Sequence, residues 1–145
     1  MASSYPRFDR SKLSLKPLAE RSHDLAVQAI LLLGEVPVRH EEFRKVAEAI
    51  VQARRQGAAV VLMMGAHVLR SGVQRYLIDL MEQGFITALA GHGACAIHDY
   101  EFALIGATPE SVARYIEDGQ FGLWRETGRI NDIIRRAAAK GVGLG

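Results

Sequence analysis

The sequence predicts an α/β fold: a Rossmann-like parallel sheet with flanking helices, incomplete as a three-layer fold. Two apolar runs of strand length, residues 58–64 and 86–90, are too continuous for strands with one face in water, so we expect both inside a parallel sheet. A helix-forming segment at residues 71–83 separates them, which indicates a right-handed βαβ unit. Because amphipathic helices outnumber the strands, this sheet is too small to cover them all.

The limits of the helix in this βαβ unit follow from capping signals. Ser71 has the side chain of an N-cap, and Gln74 three residues later completes a capping-box pattern. Gly84 stands where a helix commonly ends in the left-handed conformation. The segment between the strands is therefore predicted to be one helix that begins at Ser71.

The helices outside the βαβ unit are predicted from periodicity and capping residues. Residues 41–56 have apolar side chains at helical spacing, acidic residues at the start and arginines at the end, and Gly57 follows as a stop. Thr108, which precedes a proline, is typical of an N-cap. We expect helices at residues 41–56, 97–105, 108–118 and from 126 onward, whereas a helix end and a strand are both open for residues 29–33.

The two ends of the chain differ in composition from its centre. Residues 1–16 are polar and irregular, so we expect residues 1–34 to form an N-terminal arm and packing segment. Residues 35–145 are predicted to form a Rossmann-like α/β domain. Its glycine-rich end at residues 141–145 is typical of a loop, and we expect this domain to be the front part of a longer one.

Composition argues against several classes of protein. With 145 residues, 49% of them hydrophobic, the chain can bury the core of one domain. A formal net charge of +2 gives no reason to expect nucleic-acid binding, and no apolar run is long enough to span a membrane. A single cysteine excludes an internal disulfide and fits the cytoplasm. The uncovered apolar faces of a small sheet lead us to expect a homo-oligomer.

Chemistry is expected at the turns that follow the two strands, because both turns of a βαβ unit open on the same edge of the sheet. Gly91-x-Gly93-x-x-Ala96 matches a dinucleotide-binding fingerprint, in which glycines let the backbone approach a pyrophosphate at a helix start. The acidic residue that should end the next strand, about twenty positions later, is not evident. The alternative is a tight turn that needs glycine only for positive φ.

The same turns carry titratable side chains. His67, His92 and His98, with Asp99, could meet at one edge and transfer protons or bind a metal. We predict no metal, since no close ligand spacing such as HExxH is present. Cys95 could act as a nucleophile near a helix start, although a small buried residue that packs the turn is the favoured interpretation.

Around these turns the sequence resembles the deoxyhypusine synthase family. The similarity covers residues 58–99, with Ser71-Gly72 starting a helix after one strand and a glycine turn followed by acidic residues after the next; a fainter similarity lies at residues 128–131. The resemblance implies NAD as cofactor and aminobutyl-type transfer to an amine acceptor, with a polyamine-like or other amine as substrate. It implies cofactor contacts at Ala66, His67, Val68, Leu69, Arg70, Ser71, Gly91, His92, Gly93 and Ala94, and substrate contacts at His98, Asp99 and Glu101.

The sequence also departs from this family. Ile97 and His98 occupy the positions of paired acids that would hold a polyamine nitrogen, so Asp99 or Glu101 would have to replace them. The family's imine-forming lysine has no evident counterpart before Gly145, and the catalytic nucleophile is unknown. We therefore expect a deoxyhypusine synthase-like domain of unknown substrate that lacks its catalytic half. The alternative is a non-enzymatic α/β assembly module that binds partner subunits.

Overall fold

The structure is a computed structural model, and it describes residues 5–35, 37 and 39–143. The first four residues of the predicted arm and the last two of the glycine-rich end lie outside the described residues. Within the described part, short strands and α-helices follow in the order β1 (His23–Ala26), α1 (Glu41–Arg55), β2 (Val61–Met63), α2 (Ala66–Arg70), α3 (Gln74–Glu82), β3 (Ala88–Ala90), α4 (Gly93–Ile105), β4 (Ala107–Glu110), α5 (Val112–Ile116) and α6 (Arg125–Ala139). Short 3-10 helices lie at Arg10–Lys12, Leu18–Glu20 and Val27–Ala29.

The predicted pair of parallel strands is confirmed. β2 and β3 pair in parallel, with Val61 opposite Ala88 and Met63 opposite Ala90. They form a two-stranded sheet, and Met63 is 80% exposed. The α/β class is therefore confirmed and its sheet is incomplete, but the expectation that both strands are covered on both faces is wrong for the described residues.

The crossover between these strands consists of two helices, whereas one was predicted. Ser71 ends α2 and does not cap the next helix, because its Oγ donates to Val68 O at 2.8 Å. Gly72 then has φ +79°, and an ideal Cβ at this residue would lie 2.2 Å from Ala29 O. This left-handed residue separates Ser71 from Gln74, so the predicted capping box does not form and α3 begins at Gln74.

Two glycines follow helices in the left-handed conformation, which was predicted for Gly84. Gly84 comes after α3 with φ +73°, and Gly106 ends α4 with φ +66°. α4 begins at Gly93, earlier than its predicted start at residue 97, because His92 caps it: Nδ1 accepts from the Ala94 N–H at 3.2 Å. The second turn therefore leads directly into the helix.

The predicted helix at residues 108–118 is wrong at its start. Residues 107–110 form β4, which belongs to a second two-stranded sheet with β1, and the helix that follows is the short α5. Thr108 does not act as an N-cap because its Oγ1 donates to Glu101 Oε2 at 2.7 Å. Of residues 29–33, for which a helix end and a strand were alternatives, Ala29 ends the 3-10 helix Val27–Ala29, and residues 30–33 are in neither a helix nor a strand.

The chain divides into two compact units, one made of Met1–Asp24 with Glu110–Gly145 and the other of Leu25–Pro109. Each has its own buried apolar cluster. The first unit has Leu18, Tyr115 and Trp124, and the second has Ala66, Leu69 and Cys95. The predicted boundary between an arm at residues 1–34 and a domain at residues 35–145 stays a prediction.

The predicted helices at residues 41–56 and from 126 onward are confirmed as α1 and α6. α1 leaves apolar side chains in water, since Phe43 is 63% exposed and Val46 is 58% exposed. The homo-oligomer that such faces led us to expect stays a prediction. None of the helices in the described residues combines the length and the apolar character needed to cross a membrane.

Candidate functional site

The turns that follow β2 and β3 lie side by side at one edge of the sheet. The Met64 N–H donates to Ala90 O at 2.9 Å, which continues the parallel pairing to the strand ends. Beyond the strands, an ideal Cβ on Gly65 would lie 3.5 Å from His92 Nε2. The prediction that both turns share one edge is confirmed, and a ligand placed there could contact both turns.

The two glycines of the second turn differ in their surroundings. Neither has positive φ, so the interpretation of this turn as one that needs glycine only for a left-handed backbone is wrong. Gly91 is packed, because an ideal Cβ would lie 3.2 Å from Cys95 Sγ. Gly93 is open: apart from its chain neighbours and its own helix, no described atom lies within 4 Å of an ideal Cβ. The backbone at Gly93 is therefore accessible to a ligand.

The start of α4 can donate hydrogen bonds to an anion. Gly93 is the first helical residue, and an N–H in that position has no acceptor within its own helix. The next N–H, that of Ala94, is bonded to the His92 ring. Over the 13 residues of α4, the aligned peptide dipoles give this end a partial positive charge. Such a helix start suits an anionic group such as phosphate.

The side chains of the first turn divide between the core and the surface. Ala66 and Leu69 are buried with Cys95, so these two residues can offer a ligand little beyond their backbone. His67 is exposed, and its Nε2 lies 3.5 Å from Arg70 Nη1, at the limit of a hydrogen bond. Arg70 Nε is buried and has no hydrogen-bond partner among the described residues. This guanidinium is therefore a candidate contact for an anion.

A depression of about 350 Å³ lies at the shared edge, lined by Met63, Met64, Ala90, Gly91 and His92. Two of the residues predicted to contact a cofactor, Gly91 and His92, are thus on its surface. The predicted cofactor contacts of both turns stay predictions.

The residues predicted to bind substrate do not lie at one point. His98 Nδ1 is 2.9 Å from Thr108 Oγ1, and that hydroxyl donates to Glu101 Oε2. Glu101 and Thr108 are buried, with 1% and 0% of their surface exposed, so this network lies inside the protein and connects α4 to β4. Asp99 is exposed and lines a cleft of α3 and α4. The substrate contacts stay predictions, but only Asp99 lines that cleft.

This cleft has a volume of about 340 Å³ and contains a residue that the sequence did not indicate as part of a site. Gln74 is 9% exposed, and its Nε2 donates to Leu69 O at 2.8 Å. Its Oε1 has no partner among the described residues. Gln74 was missed because the capping-box pattern assigned its side chain to the helix start. The available signal was Gly72, since a glycine between Ser71 and Gln74 permits the left-handed turn that separates them.

Metal binding and nucleophilic chemistry find little support at these turns. In the part of the chain that the structure describes, no group of three or more His, Cys, Asp or Glu residues is arranged to hold a metal ion, and the prediction of no metal stays a prediction. Cys95 is buried, with Sγ 3.7 Å from Met64 O. It packs in the cluster with Ala66 and Leu69, which agrees with the favoured interpretation of a small residue that packs the turn.

Comparisons with known proteins identify relatives of this chain. The family model for the C-terminal Rossmann fold of ArgZ-like arginine dihydrolases matches residues 44–141, about two thirds of the chain. The bifunctional arginine dihydrolase/ornithine cyclodeaminase ArgZ of Synechocystis sp. is 34% identical over 64 residues, which cover 44% of this chain and 9% of that protein. The match therefore spans only a small share of this curated relative. No solved structure matches the chain.

These matches overturn the deoxyhypusine synthase prediction. The family match extends from α1 past the end of α6, whereas the resemblance rested on residues 58–99. The expected aminobutyl-type transfer is therefore wrong, and the matches do not favour a non-enzymatic assembly module either. The resemblance rested on Ser71-Gly72 and on a glycine turn, and turns of this kind after parallel strands are common to Rossmann folds. The Rossmann-like fold itself is confirmed.

Proposed function

This chain belongs to the family of ArgZ-like C-terminal Rossmann-fold domains, and on that premise we propose that it binds NAD for an enzyme of the arginine dihydrolase/ornithine cyclodeaminase type. One observation carries the proposal: α4 begins at the accessible backbone of Gly93, shortly after β3 and close to the turn at Gly65. A helix start at the carboxyl edge of a parallel sheet is where Rossmann folds hold a pyrophosphate.

Of the two activities named for the Synechocystis relative, cyclodeamination is the one that fits a dinucleotide. Hydrolysis of a guanidine group consumes water and involves no oxidation or reduction. For an exchange of carbon–nitrogen bonds in an amino acid without net oxidation, bound NAD supplies a reversible hydride acceptor. We therefore propose that this chain serves the cyclodeaminase-type step and that the substrate is an amine.

The residues at the shared edge suit this cofactor. In our proposal the backbone at Gly91, Gly93 and Ala94 contacts the pyrophosphate, and Arg70 balances its charge through a guanidinium whose Nε has no described partner. His92 keeps the helix start in place through its bond to the Ala94 N–H. The remaining proposed contacts come from the first turn, at Ala66, His67, Val68, Leu69 and Ser71.

Calorimetric titration of NAD into the full chain and into Gly93→Val tests the proposal. The valine places a branched side chain where the ligand must approach the helix start, in space that the protein itself leaves open. We expect NAD affinity to fall about tenfold or more, equivalent to ~1.4 kcal/mol of binding free energy. Because no described atom crowds this position, circular dichroism should show an unchanged fold.

Gly128→Val is the matched control. Gly128 is also a helical glycine without positive φ and with no described atom near an ideal Cβ, but it lies in α6, in the other unit. We expect this variant to bind NAD like the wild type. Equal binding by wild type and Gly93→Val would rule out the turn as the site, and no binding by the wild type would contradict the cofactor.

We also propose that the protein acts in the cytoplasm. A single free cysteine, Cys95, supports this location because a chain of this kind draws no stability from an oxidising compartment. Fractionation of cells that express the protein tests this location, and recovery of the protein outside the cytoplasmic fraction would contradict it.

A further inference from the structure

Gln74, one of the residues that line the cleft of α3 and α4, carries a buried hydrogen-bond acceptor without a partner among the described residues. Gln74 is more than nine-tenths buried, and no described residue bonds to its Oε1. The amide orientation is fixed, since Nε2 donates to Leu69 O and the opposite orientation would place two oxygens together. Buried acceptors in proteins nearly always have a partner in the protein, in ordered water or in a ligand, so a ligand that carries a donor can supply this partner.

The other polar side chain in this cleft is a carboxylate. Asp99 follows Cys95 and Ala96 by one turn of α4, and all three line the cleft. Among the described residues that line it, none is a lysine, an arginine or a histidine. A carboxylate in a mostly apolar cleft, with no cationic side chain among the described lining residues, favours a positively charged ligand.

We propose that the cleft binds the alkylammonium end of the substrate, an inference that rests on the function proposed above and specifies its amine site. An ammonium group has three donors and no acceptor, so one group can bond both Gln74 Oε1 and Asp99. A neutral apolar end would leave the Gln74 acceptor unpaired, and an anionic end would be repelled by Asp99. The other lining residues are apolar and suit a methylene stem: Met64, Leu69, Leu77, Ile78, Met81, Leu89, Cys95 and Ala96.

The cleft adjoins the proposed cofactor edge. Met64 lines both the cleft and the depression at Gly91 and His92, and Cys95 packs against Gly91 from the side of the cleft. A volume of about 340 Å³ is at the small end for ligand pockets and can hold one end of an amino acid. Amine and cofactor would therefore occupy neighbouring sites within one unit.

Calorimetric titration of the full chain with L-ornithine and L-norvaline tests the amine site. The two amino acids have the same carbon chain, and only ornithine carries the terminal ammonium. We expect ornithine to bind about tenfold more tightly than norvaline, the size of one charged hydrogen bond. Asp99→Asn and Gln74→Met should each lower this ratio towards one while norvaline binding persists, which shows that the cleft itself is intact.

Asp79→Asn provides the matched control, because Asp79 lies on α3 outside the cleft and accepts a bond from Gln83 Nε2 at 2.7 Å. This variant should keep the wild-type ratio. The proposal would be overturned if the wild type bound ornithine and norvaline equally, or if Asp99→Asn kept the wild-type ratio of the two affinities. If Gln74→Met does not fold, the Asp99→Asn variant alone decides the test. Titration of NAD into the same samples separates the amine-site proposal from the cofactor proposal. If the wild type prefers ornithine to norvaline but does not bind NAD, the amine site in the cleft is supported and only the NAD proposal is contradicted.

Discussion

The aromatic cluster of Leu18, Tyr115 and Trp124 differs from the βαβ segment in how completely its groups are buried and paired. Trp124 is 1% exposed, and its Nε1 donates to Glu110 Oε2 at 2.6 Å. Its ring packs edge-on against that of Tyr115, with 5.1 Å between the ring centroids. The Tyr115 hydroxyl accepts a hydrogen bond from the Ser22 N–H at 2.7 Å. In this cluster, both the apolar and the polar parts of the aromatic side chains have partners.

The βαβ segment is more open. Met63 on β2 is 80% exposed, and Arg70 Nε and Gln74 Oε1 are buried without partners among the described residues. An unpaired buried group costs about 1–3 kcal/mol, and a ligand that supplies the partner recovers that free energy. The difference indicates that stability is concentrated around Trp124, whereas binding capacity is concentrated around the turns of the sheet.

The largest effect that we predict comes from Trp124→Ala. Removal of this buried indole leaves a cavity against Leu18 and Tyr115 and takes the Nε1 donor from Glu110. We expect the free energy of unfolding to fall by about 3–5 kcal/mol, as measured by urea unfolding followed by circular dichroism. Ile133→Ala on α6 is the control: this side chain is 54% exposed, and a change of about 0.5 kcal/mol or less is expected. Similar losses in both variants would show that the aromatic cluster is not a principal source of stability.

A smaller loss is expected from Gly72→Ala in the open segment. The alanine would hold a left-handed conformation that costs roughly 1–2 kcal/mol, and its Cβ would lie 2.2 Å from Ala29 O, so the backbone must also shift. Together these effects predict a loss of about 2–4 kcal/mol in the same urea experiment.

Gly57→Ala separates the two contributions to that loss. Gly57 also has positive φ, +67°, but no described atom lies within 4 Å of an ideal Cβ. Only the conformational cost of about 1–2 kcal/mol should appear. If both variants lost the same stability, the close approach of Gly72 to Ala29 would add nothing to the cost of an alanine at residue 72.

The sequence contained enough information for the βαβ unit because continuous apolar runs and their spacing are local signals. The predicted capping box at Ser71 was wrong because the pattern records residue types and ignores Gly72, whose left-handed backbone separates Ser71 from Gln74. The helix start at Thr108 failed for a different reason. Its hydroxyl bonds to Glu101, a buried residue on another element, and no local pattern reveals such a contact.

The part of the candidate site that depends only on strand order could be predicted from the sequence. That both turns open on one edge follows from the parallel order of the strands, and Gly65 and His92 are indeed neighbours. The cleft could not be predicted, because it depends on how the side chains of α3 and α4 pack and on the side-chain oxygen of Gln74, which has no partner among the described residues. Short turn motifs also could not distinguish one family with Rossmann-like turns from another, which the match over residues 44–141 does.

The smallest predicted effect concerns Glu126, at the start of α6 in the unit of the aromatic cluster. Its Oε2 accepts the Leu18 N–H at 2.7 Å, and this bond is the main reason that the pKa of Glu126 is lowered. A bond to its own N–H lowers the pKa further and burial opposes it, while the nearby charges of Arg129 and Arg125 each make a smaller contribution that lowers the pKa. Because the folded state binds this proton less readily than the unfolded state, the carboxylate stabilises the protein above the ordinary pKa of glutamate.

Glu126→Gln should therefore be less stable than the wild type at about pH 7, and the difference should shrink as the pH falls through the lowered pKa of Glu126, because the wild-type carboxyl then becomes neutral as well. Urea midpoints across this range measure the difference. Glu117→Gln is the control, since Glu117 is exposed and pairs with no described residue, and its midpoint should follow the wild type at every pH. A deficit in Glu126→Gln that stayed constant with pH would mean that the geometry of the Leu18 bond, and not the charge of the carboxylate, stabilises the aromatic cluster.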